Sequence, residues 1–154
     1  MGIELQKVNQ LPTQPLLSLV EESTNEGFRH LKRLVSDYES GHNKFDKLGE
    51  ALFVAYHHND IVGVCGLNQD PYVTEGKVGR VRRLYVSPKF RRSGVGRLLM
   101  DAVIVEARKY YYRLVLRTDN FAADIFYRLL GFSVDLESTH NSHVLHLSDI
   151  HKNT

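Results

Sequence analysis

Residues 78–99, VGRVRRLYVSPKFRRSGVGRLL, change their hydrophobic period across a single turn, and that change constrains the fold more than any other stretch of the chain. Up to Val86 the run is β-branched and aromatic, as a strand requires. Pro88 ends it, because proline has no N–H for a ladder. From Gly94 onward Val95, Leu98, Leu99, Ala102 and Val103 recur three and four apart, which predicts a helix continuing to about Lys109. A strand therefore feeds a helix through a short basic turn that contains glycine.

That turn has a chemistry of its own. The first N–H groups of a helix lack intrahelical partners, and the helix dipole adds partial positive charge there. Gly94 and Gly96 remove side chains where a phosphate oxygen would otherwise meet a Cβ. The amides from Arg92 to Arg97 are expected to converge on an anion, with Arg91, Arg92 and Arg97 adding charge that does not titrate. The pattern points to a diphosphate-bearing ligand. Two nucleotide motifs fail on their own terms. A Rossmann turn needs a third glycine where Leu99 stands, and a P-loop needs Gly-Lys-Ser/Thr, which is missing here.

The rest of the chain supplies a mixed α/β frame. Ile3–Val8 reads as a first strand, and Thr13 as the cap of a helix carrying Leu16, Leu17 and Val20. Phe28, Leu31, Leu34, Val35 and Tyr38 mark a second helix ending near Gly41. ALFVAYH from Ala51 and IVGVCGL from Ile61 flank His58-Asn59-Asp60 as a hairpin. RLVLRT is a short buried strand. Asn120–Leu130 is a helix with Ala122, Phe126, Leu129 and Leu130 on its apolar side, and FSVDLE and HVLHLS are two final strands. Strand, two helices, three strands, helix, strand, helix and two strands argue for a central sheet with helices on both faces. At 154 residues this is read as one domain, 1–154.

Two separated motifs together carry a family resemblance. The first is R-R-S-G-V-G after Leu84-Tyr85-Val86. The second is N-F-A-A-D-I-F-Y-R-L-L-G-F from Asn120 to Phe132, in which Asn120, Ala123 and Tyr127 stack on one helical face. The first resembles the acetyl-CoA signature of the GNAT superfamily of N-acetyltransferases: Gln or Arg, two residues, Gly, one residue, Gly or Ala. The second resembles that superfamily's Asn, Ala, Tyr and Gly-Phe. The resemblance spans roughly residues 51–135.

What it implies is specific. The fold would be a mixed, mostly antiparallel sheet of about six to seven strands, with strands 4 and 5 splayed to hold acetyl-CoA. The backbone of Leu84, Tyr85 and Val86 would pair with the pantetheine arm. The pyrophosphate would lie on Arg91, Arg92, Ser93, Gly94, Val95, Gly96 and Arg97, and Asn120 would hydrogen-bond the cofactor. An amine would attack the thioester directly, a backbone N–H near Val86 would meet the developing oxyanion, and Tyr127 would protonate the departing thiolate. A lysine-like amine at neutral pH must lose a proton first, at roughly 4 kcal/mol. Many members carry Glu on the fourth strand where this chain has Arg80; Glu75, His57 and Asp70 are the candidate bases by location. The same departure supports an alternative, a non-catalytic acetyl-CoA sensor.

The acceptor, a small-molecule or peptide amine, is expected between Phe28–Glu50, the Asn68–Glu75 loop and Glu137–Ser142. The acids Asp46, Glu50, Asp70 and Glu75 there lean toward a cationic amine. The net charge of +2 excludes a nucleic-acid coat, and Arg82 and Arg83 have no stacking aromatics that would suggest a nucleic-acid partner. His140, His143 and His146 alternate along a strand, so no shared metal is expected. Cys65 reads as a small core residue, and Tyr110, Tyr111 and Tyr112 as packed rings with wet tips. The first residues lack the apolar run of a signal peptide, and no stretch is long enough to span a bilayer. The sequence is thus read as cytoplasmic, with no membrane partner, as a monomer or homodimer.

Overall fold

The structure is a computed structural model that describes residues 2–74 and 76–147. The elements follow the predicted order: β1 (Ile3–Lys7), α1 (Thr13–Asn25), α2 (His30–Ser40), β2 (Ala51–His57), β3 (Asp60–Gln69), β4 (Val78–Val86), α3 (Val95–Arg108), β5 (Arg113–Leu116), α4 (Phe121–Leu129), β6 (Ser133–Val134) and β7 (His143–His146). A 3₁₀ turn, Pro88–Phe90, stands between β4 and α3.

The strands form one seven-stranded sheet in the order β1-β2-β3-β4-β5-β7-β6. Every neighbouring pair is antiparallel except β4 and β5. A parallel pair needs a crossover, and α3 supplies it. β2 shows why the sheet is covered on both sides. Ala51, Phe53 and Ala55 join the core under α3, while Leu52 and Val54 join the core under α1 and α2. Both sets are buried, and alternating side chains leave a central strand no polar face.

Local chemistry corrects several details. Thr13 is not the cap of α1: Pro12 holds that place, and the Thr13 hydroxyl donates back to the Leu11 carbonyl at 3.3 Å. Phe28 lies before α2 rather than on it, and Gly41 ends that helix with φ 82°. Leu98 is 43% exposed, so the buried stripe of α3 runs through Val95, Leu99, Met100, Val103 and Ile104. On α4, Ala122 faces solvent and Leu129 is 76% exposed. The inward side is Ala123, Phe126, Tyr127 and Leu130, which puts Tyr127 at the centre of the apolar face rather than beside it. Tyr111 has no wet tip: it is buried, and its hydroxyl donates to the Gly49 carbonyl at 2.6 Å. Cys65 is fully buried beside Met100, a core residue as read. Among the described residues no helix is long and apolar enough to cross a membrane.

Candidate functional site

The fold breaks its own sheet at one place. β4 and β5 pair only over Val78–Arg80, opposite Arg113–Val115. Beyond Arg80, β4 continues to Val86 while β5 turns to β7, where Leu116 faces His143. The edge of β4 from Val81 to Val86 is therefore open on the β5 side. A bulge reinforces the parting. On β3, Val64 faces Tyr85 and Gly66 faces Arg82, so Cys65 opposes two residues, Arg83 and Leu84. Arg83 sits at φ 62°, a left-handed conformation uncommon outside glycine. The Leu84 and Tyr85 backbone thus lies on a strand that twists away from its parallel neighbour.

The open edge runs directly into the basic turn. The first bond closing α3 is Leu98 N–H to the Gly94 carbonyl at 3.0 Å. Arg92, Gly94, Val95, Gly96 and Arg97 donate their amides to no described residue, whereas the Ser93 amide is engaged by the Phe90 carbonyl. These amides open a helix of 14 residues. The two glycines are not equivalent. Gly94 stands at φ 93° with empty space where a Cβ would be, so conformation is what demands it. A Cβ on Gly96 would lie 3.4 Å from the Phe126 ring, an ordinary contact, so packing against α4 does not by itself demand glycine there.

The three arginines also part company. Arg92 and Arg97 extend from the turn, exposed and with no described partner. Arg91 reaches back to α1, donating to both Glu26 carboxylate oxygens at 2.7 and 2.9 Å and to the Val86 carbonyl at 3.0 Å. It lies over the Tyr85 ring, 5.4 Å from its centre, and the Tyr85 hydroxyl donates to the same Glu26. Arg91 therefore braces the turn against α1 instead of adding its charge to the cradle. Donation from Arg91 and Tyr85 holds the Glu26 carboxyl below its ordinary range.

Across the parting stands α4. Asn120 caps it, its side-chain oxygen accepting from the Ala123 amide at 3.0 Å, which accounts for that oxygen without a ligand. Tyr127 is 6% exposed, packed edge-on to Phe126 and Phe132, and its hydroxyl bonds to no described residue. Burial, and the nearby Cys65 thiol, push this phenol far above the tyrosine range, so it stays protonated at any physiological pH. Next to it His143 is fixed by Ser142 and Asp124, each at 2.7 Å.

The candidate bases fare unequally. Asp70 is buried and bound to Arg80 at 2.8 Å, so its carboxylate is held in an ion pair within the structure. Arg80 also donates to the His140 carbonyl at 3.3 Å and to the Asn141 side chain, tying the loop after β3 to the loop before β7. The ring of His57 lies 4.9 Å from Phe90 in the basic turn. Glu75 falls outside the described residues. Of the acceptor-side acids, Asp70 is paired with Arg80 and Glu50 accepts from Asn68 at 2.9 Å, while Asp46 is exposed with no described partner. His140 stacks on Tyr72 at 3.7 Å while His143 binds Asp124, and among the described residues no three His, Cys, Asp or Glu form a metal-binding group.

One group escaped the sequence reading. His30, the first residue of α2, packs 5.8 Å from the Tyr85 ring and beside the Leu84 carbonyl, on the bulged part of β4. Its Nε2 is buried with no hydrogen-bond partner. Burial, then the Arg83 charge, lower its pKa below the ordinary 6.5, so it is neutral at pH 7. Nothing near His30 in sequence signals this, because the contact is made by a strand more than fifty residues away.

Comparison with known proteins agrees with this architecture. Residues 16–132 match the model of the acetyltransferase (GNAT) family. A protein from Exiguobacterium sp. 255-15, assigned as an acetyltransferase, is 31% identical over 95% of this chain and 94% of its own, with a TM-score of 0.85. Ard1 from Thermoplasma volcanium shares the fold at 17% identity, covering 96% of this chain and 99% of its own, TM-score 0.69. So does yncA from Salmonella typhimurium, solved with its cofactor acetyl-CoA, at 16% identity, 97% and 96% coverage and TM-score 0.70. No curated protein matches the chain. A family model spanning most of the sequence, a 31% identical structure of nearly equal extent and a sheet parted between β4 and β5 lead to one statement: the chain belongs to the GNAT acetyltransferase family.

Proposed function

We propose that the chain transfers the acetyl group of acetyl-CoA to a primary amine. The observation that carries this reading is the continuity of two features: the edge of β4 from Val81 to Val86, which pairs with no strand on the β5 side, and the unpaired amides of Arg92 and Gly94–Arg97 in the turn that follows it. An extended amide-bearing arm fits the first, and a diphosphate fits the second, with Arg92 and Arg97 supplying charge. Acetyl-CoA has both parts in that order, and brings a thioester carbonyl that an amine can attack.

The chain's own groups divide the remaining work. Tyr127, kept protonated by burial, has a proton to give to the sulfur as it leaves. His30, kept neutral, can take the proton that the amine must lose, and its unpartnered Nε2 gains the hydrogen bond it lacks. A backbone N–H near Val86, at the end of the open edge, would meet the developing charge on the carbonyl oxygen. Tyr127 and His30 approach β4 from opposite sides of the sheet, one within the α3 and α4 core and the other from α2. Acid and base are thereby separated by the strand that would hold the thioester.

Calorimetry with acetyl-CoA, followed by thiol release across a panel of amines, tests this reading. We expect binding, and release that depends on an amine. Tyr127→Phe should lower kcat by about 100-fold, within the range of general acids, while acetyl-CoA affinity holds. Binding without release from any amine would instead support a sensor, the reading that Arg80 in place of an acid favours. An unchanged kcat in Tyr127→Phe would remove the tyrosine from the chemistry.

A further inference from the structure

β4 presents three arginines to the side where α1 and α2 lie. Arg80 is paired across the sheet with Asn68, and Arg82 with Gly66. Residues directly opposed in an antiparallel pair share a face. A Cβ on Gly66 would stand 2.4 Å from Phe45, which belongs to the core beneath α1 and α2. The bulge then swings Arg83 to the same side, where it reaches Asp37 of α2 at 3.4 Å. The strand that offers its open edge to the thioester is thus lined, on its other exposed flank, with guanidinium groups.

Their partners are unequal. Arg80 is buried and held by Asp70, His140 and Asn141. Arg83 has one long ion pair with Asp37. Arg82 is half-buried and donates to no described residue, although Arg83 lies next to it. Arg33 of α2 adds a further positive charge close enough to act on both Arg83 and His30. Three described carboxylates on this flank are engaged by neighbours, Asp37 by Arg83, Asp70 by Arg80, and Glu26 by Arg91 and Tyr85, while Glu22 acts on Arg91 and Tyr85 and keeps one buried oxygen without a partner; none of the four bonds to Arg82. A guanidinium partly removed from water without a counter-charge is unfavourable unless something supplies one. Arg82 stands two residues before Leu84, roughly 7 Å along the strand from the carbonyl flanking His30.

We infer that the acceptor is an amine that also bears a carboxylate, of amino-acid size, and that Arg82, seconded by Arg83, is the residue that selects it. A guanidinium fork matches a carboxylate with two parallel hydrogen bonds, a geometry that neither lysine nor a neutral side chain reproduces. The short spacing between Arg82 and Leu84 requires nitrogen and carboxylate to be only a few bonds apart. This inference rests on the transfer reaction proposed above and adds the acceptor's class to it.

The test compares, for the full chain with acetyl-CoA, a set of amino acids with their carboxamides and with the amines formed by removing the carboxylate. We expect kcat/KM at least tenfold higher for the acids, carried by KM. Arg82→Gln should shrink the acid-to-amide ratio to within about threefold, by raising KM for the acids at unchanged kcat, and Arg82→Lys should restore part of it. Thermal melting reports whether each variant is folded. Equal or better use of the carboxamides, of the decarboxylated amines or of polyamines overturns the inference and leaves the transfer reaction standing. So does an Arg82→Gln that affects acids and amides alike. A wild-type chain that does not bind acetyl-CoA in the calorimeter overturns the reaction itself.

Discussion

His30 shows how one residue acquires a role from its surroundings. An ordinary histidine would be partly charged near neutrality; here burial and the cations of Arg83 and Arg33 favour the neutral ring. As the base for the amine it must be unprotonated, so kcat/KM should fall on acidification only below pH 6.5, the ordinary value from which its pKa is lowered. His30→Gln should lower kcat/KM at least tenfold and remove that acidic limb, as a pH–rate profile would reveal. A surviving limb would assign the ionisation to another group. Helical spacing made it legible that Asn120 and Tyr127 belong to one helix, which Asn120 caps. The sequence could not show His30, nor that Asp70 is bound to Arg80, since both facts depend on which strands become neighbours.

At the level of elements, β4 was readable from its β-branched and aromatic run up to Pro88, and α3 because it keeps one period for 14 residues. What lies between them was not. Arg92 in that turn stands at φ 65°, and Arg83 within β4 at φ 62°, and neither arginine carries a mark of its left-handed backbone. Gly94 was expected to make room for a phosphate oxygen, but its φ of 93° is the stronger reason for glycine. Gly94→Ala should therefore destabilise the chain by about 1 kcal/mol, the usual cost of a left-handed alanine, and re-aim the unpaired amides, weakening acetyl-CoA by tenfold or more. Denaturant melts and calorimetry read the two effects separately; full retention of affinity would show that the turn's conformation is not what grips the ligand. The apolar sides of α4 were misjudged for a related reason. Phe121, Ile125 and Leu129 form a row on its outer surface as regular as the buried one, and spacing alone does not say which row meets the sheet.

The whole molecule responds to pH through groups shifted in two directions. Glu26 lies below its ordinary 4.5 through donation from Arg91 and Tyr85. Glu106 does so because Lys7 and Lys109 outweigh its burial, and Asp124 lies below 3.8 through His143 and Arg128. His30 is lowered as well. For each, the unfolded chain takes up its proton first on acidification, so stability is complete above the unfolded pKa and is lost as pH falls toward the folded one. Loss begins below 6.5 with His30 and steepens below 4.5 with the carboxylates. Burial raises the Cys65 thiol above 9.0 and pushes Tyr111 from 10.0 up to about 12, so alkali removes protons from the unfolded chain first and stability declines as pH rises past 9.0. A thermal midpoint plotted against pH should be level between these limits and fall on both sides; a midpoint that rises from pH 6.5 to 4.5 would contradict the assigned shifts. The rift beyond Arg80 has a mechanical corollary. Three paired positions and the Tyr112 N–H to the Lys77 carbonyl join β4 to β5, and a strand-like guest wedged into the rift beyond them would extend that seam. Loading the donor would then stiffen the whole sheet, and each departing thiol would slacken it again.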